Sequence, residues 1–222
     1  MLIPYHPPGA KFLLGTDAFG ASMGLRLMWA TWDTVYAVLL AVGVAGCVGV
    51  AVGAVLAFTR RKWLRVFCEI LLSFSYAAPL LLLVLLLLVV FGQRGMIFPS
   101  VGLLAWGGIA LAAATSFERI IDSGFVRASR NLGLSPMHAC LRHGMGHALP
   151  TIISACTALA SQLFQLSVVL AFIGIGRGGL GALIREGYQV YPSAWWMWLP
   201  ATIVAAVILG LASWGAHKGG RL

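Results

Sequence analysis

The sequence predicts an all-α integral membrane protein of about five transmembrane helices, with the N-terminus outside and the C-terminus in the cytoplasm. Three observations carry this reading. Of the 222 residues, 60% are hydrophobic and 9% charged, against about 25% charged in a typical soluble domain. Five windows hold no charge at all: Thr34–Thr59, Ile70–Gln93, Gly95–Phe117, Ala148–Gly176 and Gly187–Ala216. Each exceeds the roughly 20 residues a helix needs to cross hydrocarbon. Finally, the basic residues fall unevenly. Ten lie on one side: Arg60, Arg61, Lys62, Arg65, Arg119, Arg127, Arg130, Arg142, Lys218 and Arg221. The other side carries five: Lys11, Arg26, Arg94, Arg177 and Arg185. The richer side is expected in the cytoplasm. This placement argues against nucleic acid as the target of the net charge of +9.

Helices are expected because lipid offers no partner to an unpaired backbone group. A membrane barrel would show alternating segments of about 10 residues, and "PLLLLVLLLLVVF" does not alternate. Residues 1–30 read as an outer segment. Gly15-Thr16-Asp17 offers a helix cap, and "FGASMGLRLMWATW" is expected as an amphipathic surface helix. The start lacks a basic region, apolar run and cleavage site, so no signal peptide is expected. An outside N-terminus requires either that these residues cross with the first helix or that relatives carry an upstream helix missing here.

The permease domain is expected over 31–216. Helix one runs from about Trp32 to Phe58, with Asp33 in its first turn. Its Gly49/Gly53 pair suits close helix approach, or is merely tolerated. Helix two covers about Phe67–Phe91 with a kink at Pro79. After the short turn "GQRGMIFPS", helix three covers about Val101–Phe117. Helix four is about Leu149–Phe172. An outer loop, "GIGRGGLGALIREGYQVYPS", leads to helix five at about Trp195–Trp214. Residues 217–222 form a cytoplasmic tail.

Between helices three and four lies a cytoplasmic loop, residues 119–147. Asn131-Leu132-Gly133 reads as a helix end, since glycine takes the left-handed conformation readily. Ser135-Pro136 reads as the next start, with serine as N-cap and proline at the first helical position. The segment is thus an elbow: either a docking site for a cytoplasmic partner or a connection held to anionic lipid by its arginines.

"FVRASRNLGLSPMHACLRHGMGHALPTI" resembles the cytoplasmic EAA loop of ABC importer permeases, with Arg127-Ala128-Ser129 at the Glu-Ala-Ala positions, Gly133 at the glycine and Leu149-Pro150 downstream. "FLLGTDAFGASMGLRLMWAT" is similar to the Gly-Thr-Asp segment of dipeptide, oligopeptide and nickel permeases. "AFIGIG" and "REGYQVYPSAWWMWLPATI" are similar to later parts of that group. The resemblance implies the type I ABC importer permease fold. It also implies that ATPase closure is transmitted through Val126, Arg127, Ala128, Ser129, Arg130, Leu132, Gly133 and Leu134. It further implies a second permease subunit, two ATP-binding subunits, an extracytoplasmic solute-binding protein and a bacterial inner-membrane location, with peptides, nickel chelates or related small solutes as cargo. Arg127 reverses the charge of the family glutamate, and Gly20-Ala21-Ser22 stands where Gly-Arg-Asp is usual. Most members of the group also carry a helix ahead of the Gly-Thr-Asp segment. Five crossings and "GRGGLG" are similar instead to methionine and polar amino-acid permeases, the alternative reading.

Within the membrane, Ser154, Thr157, Ser161 and Gln165 follow at helical steps and form one stripe. The stripe suits a water-filled route or hydrogen bonding to a neighbouring helix equally. No acid sits mid-membrane, which argues against an ion-coupled carrier. A scaffold without a pathway is the other remaining class. Gly174-Ile175-Gly176-Arg177-Gly178-Gly179 matches GxGxxG but follows a membrane helix rather than a strand, so it reads as a turn. With no P-loop, ATP hydrolysis is assigned to separate subunits. No catalytic residue, cofactor or metal site is expected. His138, His143 and His147 read as solvated, and Cys47, Cys68, Cys140 and Cys156 as small apolar residues.

Overall fold

The computed structural model describes residues 4–10, 12–77, 79–91, 97–124, 126, 144–175, 178–190 and 192–219. These form α1 (Met23–Phe58), α2 (Lys62–Ala77), α3 (Leu80–Phe91), α4 (Ile97–Gly102), α5 (Gly107–Ile121), α6 (Met145–Phe172), α7 (Leu180–Val190) and α8 (Trp195–Gly219). Among the described residues the only strand-like pairing is a single bridge between Thr16 and Ser22.

Among the described residues, three helices are long and apolar enough to cross a membrane: α1, α6 and the Trp195–Ala216 stretch of α8. The α2–α3 pair qualifies as a fourth if counted together, although it bends by 86° at its break. Pro79 stands at that break, where its ring and missing N–H end the ladder. The window Gly95–Phe117 does not form one helix. It holds the six residues of α4, a turn, and the start of α5, whose 15 residues run on past the window to Ile121. At 1.5 Å per residue α5 is about 22 Å long, short of the hydrocarbon thickness. Ser75 holds the turn: its hydroxyl donates to the Leu104 carbonyl and accepts the Gly107 N–H.

α1 explains itself by its two faces. Ala30, Thr34, Val38, Ala41, Ala45, Gly49, Gly53 and Leu56 recur at steps of three and four, and all are buried. Leu25, Met28, Trp29, Trp32, Tyr36 and Leu39 are exposed, as suits a lipid-facing side. The helix begins at Met23, so most of the stretch expected as a separate surface helix is continuous with α1, and Asp33 lies inside the helix rather than in its first turn.

The chain divides into two compact units: Met1–Leu39 with Ser161–Ala212, and Leu40–Ala160 with Ser213–Leu222. In the second unit the small stripe lets α5 come close. A Cβ on Gly53 would meet the Ala110 carbonyl and the Ala113 methyl at 2.7 Å. Leu56, Cys68 and Ala114 are buried together beside Val52, Leu64 and Leu72, and the Phe58 and Phe117 rings pack 5.7 Å apart.

In the first unit a short helix, α7, occupies part of the segment expected as a loop. Gly181 lies against Val168 and Ala171, and Gly187 against Met197. The Leu180 N–H donates to the buried Thr34 hydroxyl at 3.1 Å, while that hydroxyl donates to the Ala30 carbonyl. A residue of α1 thereby caps α7. Met23, Ala194 and Met197 form the adjoining core with Tyr5, Leu14 and Trp196.

Candidate coupling segment and pathway helix

The predicted coupling residues fall between α5 and α6. Val126 is fully buried. Arg127, Ala128, Ser129, Arg130, Leu132, Gly133 and Leu134 lie outside the described residues, as do Ser135 and Pro136. The start of the segment is well defined. The Asp122 N–H closes the last turn of α5 on the Glu118 carbonyl, and the Ser123 N–H bonds the Ile120 carbonyl, both at 3.0 Å. Glu118 itself accepts from Arg65 Nη2 at 3.1 Å, and Arg65 Nε donates to Glu69 at 3.1 Å. The helix that enters the segment is thus tied to the beginning of α2.

The four stripe residues all lie on α6, but their surroundings differ. The Ser154 hydroxyl donates to the Ala216 carbonyl of α8 at 2.8 Å. That bond secures a neighbouring helix. The Thr157 hydroxyl donates back to the Ile153 carbonyl at 2.8 Å, satisfying itself within its own helix. Ser161 is half-buried, and Gln165 is exposed. The neighbouring Gln162 amide is exposed as well.

The Gly-Thr-Asp segment meets the start of α1 through its backbone, the Gly15 carbonyl accepting the Met23 N–H at 3.1 Å, while its side chains turn inward. It closes on itself: Asp17 Oδ1 accepts the Phe19 and Ala21 N–H groups at 2.9 and 2.7 Å. The Thr16 hydroxyl accepts the His6 N–H at 2.8 Å. Gly15 sits at φ +71°, and a Cβ there would strike the His6 carbonyl at 2.6 Å and the Trp196 ring at 2.7 Å, so glycine is required by both conformation and space. The second Asp17 oxygen accepts from Arg26 Nη1 at 2.9 Å. Arg26 also forks onto Glu186 of α7, at 2.7 Å from Nη2 and 3.1 Å from Nη1. Sequence reasoning missed this clamp. Its one local trace was the Gly-Thr-Asp run, because the two halves of the Arg26–Glu186 pair lie 160 residues apart.

Among the described residues no group of three or more His, Cys, Asp or Glu could hold a metal ion. His147 is exposed, while His138, Cys140 and His143 lie outside the described residues. The GxGxxG match is preceded by α6 and followed by α7, so the βαβ setting a dinucleotide needs is not there.

Residues 49–215 match the family described as "Binding-protein-dependent transport system inner membrane component". The inner membrane ABC transporter permease protein YejE of Escherichia coli is 26% identical over 92% of this chain and 61% of its own length. The dipeptide transport system permease protein DppC of Lactococcus lactis is 24% identical over 94% of this chain and 62% of its own. The chain therefore spans about three fifths of the length of these curated relatives. Among solved structures, an inward-facing MetNI methionine ABC transporter matches with a TM-score of 0.68 at 22% identity, over 90% of this chain and 96% of the other.

Proposed function

The chain belongs to the binding-protein-dependent transport inner membrane components, and from that premise we propose that it is a permease subunit of an ATP-driven importer for peptides or a related small solute. The observation that carries this is the family match over residues 49–215, which spans both the coupling segment and the α6 stripe. In this reading the chain works beside a second permease, two ATP-binding subunits and an extracytoplasmic solute-binding protein, in a bacterial inner membrane. ATP binding closes the ATPases, residues 126–134 take up that movement, and the permease pair alternates access to a central cavity. Peptide cargo is supported by the dipeptide permease among the relatives. The likeness to the methionine transporter, at 22% identity, speaks for the fold alone.

The test is uptake by proteoliposomes holding the assembled complex, supplied with its binding protein and labelled di- and tripeptides. Uptake is expected only with ATP and only with the ATPase subunits present. Uptake that persisted without either would sink the proposal and return the ion-coupled carrier.

A further inference from the structure

Resting on the permease reading, we infer that Arg65 is a positioning residue for coupling: it fastens the entrance of the coupling segment to α2 through Glu118. Arg65 occupies the first turns of α2, where the positive end of the helix dipole disfavours a cation. Glu118 occupies the last turn of α5, where the negative end disfavours an acid. Each residue has the wrong sign for its own helix, and pairing offsets both. Their contact is direct, Arg65 Nη2 to Glu118 Oε1 at 3.1 Å, and Arg65 Nε is fixed in turn by Glu69 at 3.1 Å. A guanidinium can hold two carboxylates on two of its edges, which an ammonium cannot do with the same geometry.

The position matters as much as the chemistry. Glu118 stands four residues ahead of Asp122, where α5 ends. Directly behind the ion pair, Leu56, Cys68 and Ala114 join α1, α2 and α5 in one buried seam, and Phe58 rests on Phe117. A displacement of the coupling segment that reaches Glu118 is passed through Arg65 to α2 rather than absorbed by fraying of the α5 end. All three charged side chains are about half exposed, so the network adds little to stability and its weight falls on geometry.

The experiment uses the whole complex in lipid nanodiscs. It measures how far the binding protein, preloaded with a mixture of di- and tripeptides, stimulates ATP hydrolysis. Arg65→Gln and Glu118→Gln are each expected to lower that stimulation about two- to fivefold, the scale of a half-exposed ion-pair network, with assembly and melting temperature unchanged. The exchange R65E/E118R is expected to recover a large part of it. Raising salt should weaken stimulation in the unmodified complex and leave the Arg65→Gln complex insensitive, a readout that needs no comparison of folding. Full stimulation in both single variants, or an exchange no better than the singles, would overturn the role of Arg65 while leaving the permease reading intact. An unmodified complex with no stimulation at all would overturn both.

Discussion

Asp17 is 2% exposed and spends both carboxylate oxygens, one on two backbone N–H groups and one on Arg26. Removing such a carboxylate leaves buried donors and half of an ion pair unmatched, which costs far more than the bonds add in water. Asp17→Ala is therefore expected to lower stability by about 2–4 kcal/mol, read as a fall in melting temperature of the detergent-solubilised protein. Asp17→Asn keeps an oxygen for the two N–H groups and loses only the charge facing Arg26, so it should cost clearly less. An equal loss in both variants would mean that the ion pair, not the loop, dominates. At this scale the sequence showed the residue types but not their partners. Gly15, Thr16 and Asp17 stand out as a helix-capping run, yet a local pattern carries no sign of Glu186, which meets Arg26 from 160 residues away.

Among the elements, α6 repays the closest look. Its stripe was legible because four polar residues at helical steps are conspicuous in an apolar run. Their division of labour was not, since bonding to a neighbouring helix and facing a water-filled route use the same side chains. Their surroundings differ: Ser154 donates to the Ala216 carbonyl, whereas Gln165 is exposed. Ser154→Ala should cost about 0.6 kcal/mol of helix association and leave peptide uptake nearly unchanged. Gln165→Leu should reduce uptake without lowering the melting temperature. Uptake rates beside thermal melts check both, and an unaffected Gln165→Leu transporter would remove α6 from the pathway. The Gly49/Gly53 pair was visible too, but the sequence left open whether the glycines serve a close neighbour or are merely tolerated, and their contacts with α5 answer that. α7 stayed hidden behind the glycines that precede it, although Leu180, Leu183 and Ile184 follow at the steps a helix would use.

For the whole molecule, composition settled the helical membrane class, but not how each charge-free window folds. Charge-free length measures what lipid will accept, and it is blind to where the backbone turns. The Pro79 break was foreseeable from proline alone. The break between α4 and α5 depends on Ser75 meeting Leu104 and Gly107, a contact no window can reveal. Coupling also belongs to this scale. Gly133→Val removes the residue expected to turn the elbow, so ATP hydrolysis by the assembled complex should continue while peptide uptake per ATP drops, measured by parallel phosphate release and uptake. Unchanged uptake per ATP would rule out the elbow. The Thr34 hydroxyl that receives the Leu180 N–H has a different consequence, one of timing. Translation at about 5–20 residues per second places roughly 7–30 seconds between the synthesis of Thr34 and that of Leu180. Throughout that interval Thr34 awaits its donor and Arg26 awaits Glu186. α1 is thus made before its α7 partners exist, and the late emergence of α7 supplies both.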